Sequence, residues 1–392
     1  MQGANDDHRR LGERLRVEIL EPMKQAFVGK DEIIDLLGVC LVAGENLFIL
    51  GPPGTAKSAL VQELSRRIEG RVFDYLLTRF TEPNEIFGPF DIRRLREGDL
   101  VTNTEGMLPE ASFVFLDELL NANSAILNSF LLVLNERVFR RGRETRPLPT
   151  LMVVGASNRL PEDDALGALF DRFLLRVCCD NVPHEELSQV LEAGWALGSG
   201  HPRDGATIGV DEVKELHRSL RRADFSRVRD AYVALVHRLR HAGVAVSDRR
   251  AVKLQTILAA SALLCGRLEV NTTDLWVLRY IWDTEEQRDV VASIVADALA
   301  KANEEERATS HPRSRGTEAP DPEHLARDLE QIGERLETGD LPDTDRSFVR
   351  DQLGLLSARC QWVEDQQQRT YLESRVETLL ERLAQVAGAS ES

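Results

Sequence analysis

Residues 46 to 64 constrain the fold more than any other stretch of this chain. Asn46-Leu47-Phe48-Ile49-Leu50 is an apolar run of strand length, and Gly51-Pro52-Pro53-Gly54-Thr55-Ala56-Lys57-Ser58 is a glycine- and proline-rich turn. Ala59-Leu60-Val61-Gln62-Glu63-Leu64 then reads as the start of a helix. A buried strand, such a turn and a helix N-terminus make a phosphate cradle, because backbone N–H groups and the positive end of the helix dipole converge there. In that arrangement Lys57 meets the β- and γ-phosphates and Ser58 holds Mg²⁺ through its hydroxyl. Pro52, Pro53, Gly54, Thr55, Ala56 and Ala59 are the remaining expected contacts to ATP. Ala56 stands where glycine is usual before the lysine, and is unstrained there if it takes helical φ/ψ.

A nucleotide site of this kind needs acid on a second buried strand, and Ser112-Phe113-Val114-Phe115-Leu116-Asp117-Glu118 provides it. Asp117, at the carboxyl end of a parallel strand, is placed to bind the Mg²⁺ held by Ser58. Glu118 is placed to polarise a water for attack on the γ-phosphate.

Three further strands are read at Val72 to Thr78, Leu151 to Ala156 and Leu174 to Cys178. Alternation of these strands with helices predicts an α/β fold with a parallel five-stranded sheet covered on both faces, residues 1–180. A helix is expected over Arg9 to Ala26. From Asn181 the pattern turns helical, predicting an all-α lid over 181–300. In it Ser247-Asp248 cap one helix and Thr272-Thr273 open another. Residues 301–322 are polar and read as a linker. Over 323–392 a leucine stripe (Leu325, Leu329, Ile332, Leu336) is followed by a turn at Gly339 and Pro342, then by a second stripe (Leu372, Val376, Leu379, Leu383, Val386). That pattern predicts a helical hairpin whose long second arm starts near Asp345. So narrow a stripe resembles a docking surface more than an independent core.

The motifs together resemble an AAA+ ATPase of the MoxR family, in its RavA-like branch. The resemblance is carried by Gly51 to Ser58, by Thr78-Arg79-Phe80-Thr81-Glu82-Pro83 with Glu85-Ile86-Phe87-Gly88-Pro89, and by Leu108-Pro109-Glu110-Ala111. Leu134-Asn135-Glu136-Arg137, Ala156-Ser157-Asn158 and Phe170-Asp171-Arg172-Phe173 continue it over roughly the first three hundred residues. The RavA-like phosphate loop also carries alanine before its lysine. The resemblance implies that Val28 and Gly29 lie against the adenine, that Asn158 orients the attacking water as sensor 1, and that Arg172 is an arginine finger toward a neighbouring subunit. It implies that Arg249, or its neighbour Arg250, is a sensor 2 reading the nucleotide in cis. It places a helix-2 insert at Thr81 to Pro109 and a pre-sensor-1 hairpin at Val138 to Pro149. It further implies a hexameric ring and a partner with a von Willebrand factor A (VWA) domain.

The net charge of −16 disfavours an obligate nucleic-acid surface, since phosphate contacts need clustered lysine and arginine. Three arginines at 140–143 without interleaved aromatics are a weak signal for one. Five cysteines without metal spacing, a polar acidic N-terminus and no long apolar run predict a cytoplasmic protein with no membrane span. The leading expectation is an ATP-hydrolysing ring that remodels or assembles partner proteins. A slow nucleotide-dependent assembly switch, a helicase-like nucleic-acid motor and a metal-chelation motor are the alternatives.

Overall fold

The five strands expected in the first 180 residues all form, and four of them are largely or wholly buried. The computed structural model describes residues 2–97, 100–141, 144–161, 164–183, 186–198 and 205–315. In the C-terminal part it describes 325–326, 329–330, 332–333, 349, 353–354, 356–357, 360, 363 and 366–388. The strands in chain order are β1 (Leu47–Leu50), β2 (Val72–Leu76), β3 (Phe113–Asp117), β4 (Val138–Arg141), β5 (Glu144–Pro147), β6 (Met152–Ser157) and β7 (Leu175–Cys178). Five of them form one parallel sheet in the order β2-β3-β6-β1-β7. The central β6 and β1 are buried throughout, as a sheet covered on both faces requires. The edge strand β2 alternates between exposed and buried residues.

The helices of the sheet domain are α1 (Gln2–Arg14), α2 (Glu21–Ala26), α3 (Asp31–Ala43), α4 (Lys57–Arg67), α5 (Pro83–Phe87), α6 (Ile92–Arg96), α7 (Ser124–Glu136) and α8 (Asp164–Phe170). The N-terminal helix begins at Gln2, ahead of the expected Arg9, and passes through a π-helical stretch, Leu15–Leu20, in which Leu15, Ile19 and Leu20 are buried. Asn123 caps α7 by accepting from the N–H groups of Ala125 and Ile126, each at 3.1 Å. Its amide also donates to the Thr81 carbonyl at 2.8 Å, which fixes the start of the insert. The expected hairpin at 138–149 is the antiparallel pair β4–β5. Its Arg141 donates to the Gly88 carbonyl and to Asn84 Oδ1, both at 2.5 Å, and lies 4.1 Å over the Phe90 ring. One of the three hairpin arginines is therefore spent on the insert rather than presented as part of a basic patch.

The lid comprises α9 (Leu187–Gly198), α10 (Val210–Ser219), α11 (Arg229–His241), α12 (Asp248–Leu264) and α13 (Glu285–Leu299), with a 3-10 helix, Thr272–Tyr280, before α13. Ser247 caps α12 as expected, accepting from the Arg250 N–H at 3.1 Å. The cap of the 3-10 helix is Asn271 and not Thr272-Thr273: its Oδ1 accepts from the Thr273 N–H at 3.0 Å, and Asp274 closes a capping box.

The chain divides into two compact units, residues 1–311 and 312–392. The stretch expected as a polar linker is thus folded for its first part. Asn303 caps α14 (Glu304–Ala308), the Glu306 carboxylate is buried and accepts from Thr272, and the fully buried His311 ring stacks on Trp276 at 4.7 Å. The lid supplies Thr272 as partner to Glu306 and Trp276 as partner to His311.

The second unit corrects the expected hairpin. Its core joins three stretches: Leu325, Leu329 and Ile332; Val349, Leu353, Leu356, Cys360 and Val363; and Leu372, Val376, Leu379 and Leu383. Val363 is not helical, and its carbonyl accepts from Arg369 at 2.8 Å, so the long second arm from Asp345 is interrupted before the helix Gln366–Gly388. Among the described residues the stripe, Leu325, Leu329, Ile332, Leu372, Val376, Leu379 and Leu383, is buried inside this unit and is not an open docking face. Leu336, Gly339, Pro342 and Asp345 lie outside the described residues.

Candidate functional site

The carboxyl ends of β1, β3 and β6 meet along one edge of the sheet, where α/β folds bind ligands. Register sets Leu50 beside Ser157 and Leu116 beside Gly155. The residues that follow, Gly51, Asp117 and Asn158, therefore share that edge. The Gly51 N–H donates to the Ser157 carbonyl at 2.9 Å, which seats the loop on β6. Only glycine fits at 51, because a Cβ there would sit 2.2 Å from the Cys179 carbonyl oxygen. At Gly54 a Cβ would meet nothing within 4 Å, so the loop opens outward over its tip.

The Lys57 ammonium is buried and donates to the carbonyls of Gly51 at 2.9 Å and Pro52 at 2.8 Å. It makes no ion pair with a carboxylate among the described residues. A buried cation satisfied only by main-chain dipoles fits a phosphate as its missing counter-charge. Thr55 folds back on the Pro52 carbonyl at 3.0 Å, and the Cys179 thiol lies 3.4 Å from the Thr55 carbonyl. Pro52, Pro53, Gly54 and Ala56 are exposed, while Ser58 and Ala59 are half-buried at the start of α4.

Ala56 overturns one expectation. Its φ is +66° and ψ is +20°, left-handed rather than helical, so its Cβ costs about 1–2 kcal/mol that glycine would not. Glu118 is also left-handed, at φ +50° and ψ +41°. The two strained residues lie in the phosphate loop and at the end of β3, and such strain clusters at functional sites.

Asp117 Oδ1 accepts the Glu118 N–H at 3.0 Å. Asp117 and Ser58 have the oxygen donors that Mg²⁺ takes. Burial, and then the negative charge of Asp117, push the Glu118 carboxyl above its ordinary value, while Lys57 and Arg159 pull it back. Asn121 donates to Glu118 Oε2 at 3.2 Å, and Arg159 donates to Asn121 Oδ1 at 3.3 Å. Sequence reading missed Asn121 and Arg159. A weak signal was present, since each lies within three residues of an assigned position. Asn158 is exposed at the end of β6, on the same edge as the loop. Gly29 lies against Val182 and Glu186, and Lys30 donates to the Asp180 carbonyl at 2.5 Å. The Val28-Gly29 turn thus follows the end of β7, beside the phosphate loop.

The assigned arginines lie elsewhere. Arg172 precedes β7, and its carbonyl accepts from Asn46 Nδ2 at 3.1 Å, at the amino end of β1. Arg249 is exposed; burial raises the Glu45 pKa, with the charges of Lys253, Arg137 and Arg249 opposing, and Lys253, one turn further along α12, contacts Glu45 at 3.2 Å. Asn46 Oδ1 accepts from Arg137 at 2.7 Å, and burial pushes that guanidinium down to about 10 against the opposing charge of Glu45. Arg172 and Arg249 therefore both lie by residues 44–46, about 13 Å of strand away from the phosphate loop. The choice between the neighbouring arginines also becomes structural. Arg250 is buried and bonded to Ala245, Ile281 and Asp283, whereas Arg249 faces solvent.

A family model for the MoxR domain of MoxR-vWA-beta-propeller ternary systems matches residues 13–218, more than half the chain. This chain belongs to the MoxR family of AAA+ ATPases. A second model, of an AAA lid domain, matches residues 226–295. Two uncharacterized proteins of Methanocaldococcus jannaschii resemble the chain. One is 34% identical over 68% of this chain and 71% of its own length, the other 33% identical over 74% and 75%. A chaperone of Mycobacterium tuberculosis, MoxR1, is 27% identical over 50% of this chain and 51% of its own. A solved structure from Cytophaga hutchinsonii, described as a candidate ATPase, shares the fold with a TM-score of 0.60 at 17% identity. It covers 77% of this chain and 97% of that one. Among the described residues, no helix of this MoxR-family protein is long and apolar enough to cross a membrane.

Proposed function

We propose that the chain is the ATP-hydrolysing subunit of a head-to-tail ring, hexameric as is usual for such ATPases, that remodels partner proteins. One observation carries the reading: the phosphate loop with Asp117 and Glu118 occupies one edge of the sheet, and Arg172 with Arg249 the opposite edge. A single chain holds both halves of a site and cannot close them on each other. Repeating the chain around a ring sets the arginine edge of one subunit against the phosphate edge of the next.

Within that site the main-chain N–H groups of 52–58 hold the phosphates, and the Lys57 ammonium exchanges its carbonyl partners for phosphate oxygens. Ser58 and Asp117 would hold Mg²⁺, which when bound neutralises charge on the phosphates. Val28 and Gly29 cover the adenine. Glu118 takes a proton from the attacking water and Asn158 orients that water. Arg172 and Arg249 of the adjacent subunit stabilise charge on the γ-phosphate, an effect on the order of 10³–10⁵ in rate for an arginine finger. A hydrolysing motor is favoured over a slow switch because Glu118, Asn158 and Arg172 serve hydrolysis alone.

The matching family model is named for systems that contain a vWA component, which supports a VWA-domain protein as the client. None of the five cysteines is in a disulfide, which suits a cytoplasmic setting. The test is capture with a Glu118→Gln variant in ATP-Mg²⁺, a form that binds nucleotide without turning it over. Retention of a VWA-domain protein by that ring, and its release by wild type, supports the reading. A variant that stays monomeric at every concentration with ATP, or turns over as fast as wild type, refutes it.

A further inference from the structure

Asp283, between the 3-10 helix and α13, carries a junction outside the nucleotide edge. Arg176 of β7 is fully buried, and its NH1 lies 3.0 Å from Asp283 Oδ1. Arg250 of α12 places its NH1 3.1 Å from both carboxylate oxygens of Asp283. Both guanidinium groups also donate to the Ile281 carbonyl, Arg176 at 3.2 Å and Arg250 at 2.6 Å. Two buried cations thus share one carboxylate and one carbonyl. Burial first, and the charge of Arg250 second, press Arg176 down to about 9, with Asp283 opposing. Without that carboxylate the two guanidinium groups repel in a medium of low dielectric.

Each of these arginines is joined to one arginine of the opposite edge, Arg250 to the exposed Arg249 and Arg176 to the half-buried Arg172. Arg250 follows Arg249 in α12. Arg176 lies 4.2 Å over the Phe170 ring and donates to the Phe170 carbonyl at 3.3 Å, and Phe170 begins the turn that bears Arg172. The sheet contributes one of the two and the lid the other, and the bridge between them is Asp283.

We propose that Asp283 is a positioning residue that holds Arg172 and Arg249 as one rigid pair, so that both meet the neighbouring subunit's γ-phosphate together. This rests on the ring reading above. Asp283 touches no nucleotide, and its effect is on turnover in the adjacent subunit. Misplacing catalytic groups by about 1 Å costs on the order of 100-fold in rate.

The experiment is steady-state ATPase kinetics of Asp283→Asn, alone and mixed with Glu118→Gln subunits. The expected result is a fall in kcat of about 10–100-fold with KM for ATP little changed. In the mixture turnover returns, because an intact phosphate edge then faces intact arginines. A general loss of folding would not be rescued in this way, and a thermal melt of the variant tests that directly. Arg172→Ala mixed with Glu118→Gln serves as the control. If the control regains turnover and Asp283→Asn does not, the positioning role is wrong and the ring stands. If neither regains turnover, the ring reading falls and this role with it. An unchanged kcat in Asp283→Asn also ends the proposal. Should that variant fail to fold, Arg250→Lys removes the bridging geometry while keeping the charge, and carries the same expectations.

Discussion

The side-chain amide of Asn46 donates to the main-chain carbonyl of Arg172 at 3.1 Å, tying the amino end of the phosphate-loop strand to the turn that bears the candidate finger. That bond holds the Arg172 backbone at the edge opposite Lys57, and in the proposed ring a second subunit brings this arginine to a phosphate. Specific ATPase activity should therefore rise with protein concentration as subunits assemble. Arg172→Ala should lower it by on the order of 10³-fold. Activity per subunit measured from nanomolar to micromolar protein checks this. A flat profile from an active enzyme would point to a monomeric ATPase and a structural Arg172.

Lys57 and Glu118 separate binding from chemistry. Lys57→Ala should abolish tight ATP binding, because it removes the cation from a cradle otherwise made of main-chain dipoles. Glu118→Gln should keep binding and lose about 10²–10⁴-fold in turnover, the range for a positioned general base. Fluorescent-nucleotide titration with phosphate release distinguishes the two.

The raised pKa of Glu118 has a signed consequence. Its folded form binds a proton more tightly than its unfolded form, so ν_N exceeds ν_U between the two pKa values and stability falls as pH rises through that window. Glu118→Gln should thus melt higher than wild type at neutral pH, with the difference closing below the ordinary carboxylate range. The acid limb of the kcat profile should lie above the ordinary glutamate value. Arg159→Ala removes a charge that lowers the Glu118 pKa and should move that limb to higher pH. Melts and rates across pH 4–9 test these directions.

At Ala56 two effects oppose each other. Replacing it by glycine relieves left-handed strain of about 1–2 kcal/mol, but frees the unfolded chain by about 0.4–1 kcal/mol. Strain wins over nearly the whole of those ranges, so Ala56→Gly should raise stability, by at most about 1.6 kcal/mol. A lower melting temperature for Ala56→Gly would show that the strain is absorbed elsewhere.

The two ends of the former linker should behave differently. A chain ending at Arg315 keeps His311 on Trp276 and Glu306 at Thr272, and should fold and hydrolyse ATP. A chain ending at Ala302 loses both, and with the aromatic stack alone about 0.5–1.5 kcal/mol. Equal melting temperatures for the two truncations would contradict this account.

Local sequence was enough for whatever depends on a few adjacent residues. Four of the five strands are legible because a strand buried on both faces must be nearly continuously apolar, and the edge strand β2 by its alternation. The phosphate loop is legible because close backbone approach demands glycine at 51 and a cation at 57. Ser247 announces the α12 cap in the same way. What only the tertiary structure decided is what lies across from what. Arg249 and Arg250 are indistinguishable in sequence, and burial against Asp283, 33 residues away, separates them. The edge at which Arg249 emerges follows from how α12 lies against Glu45. The backbone angle of Ala56 follows from the loop closing on β6, since propensity alone favours a right-handed alanine. The C-terminal stripe shows its partners only once three distant stretches share a core, because heptad spacing states that a face is apolar and not what covers it.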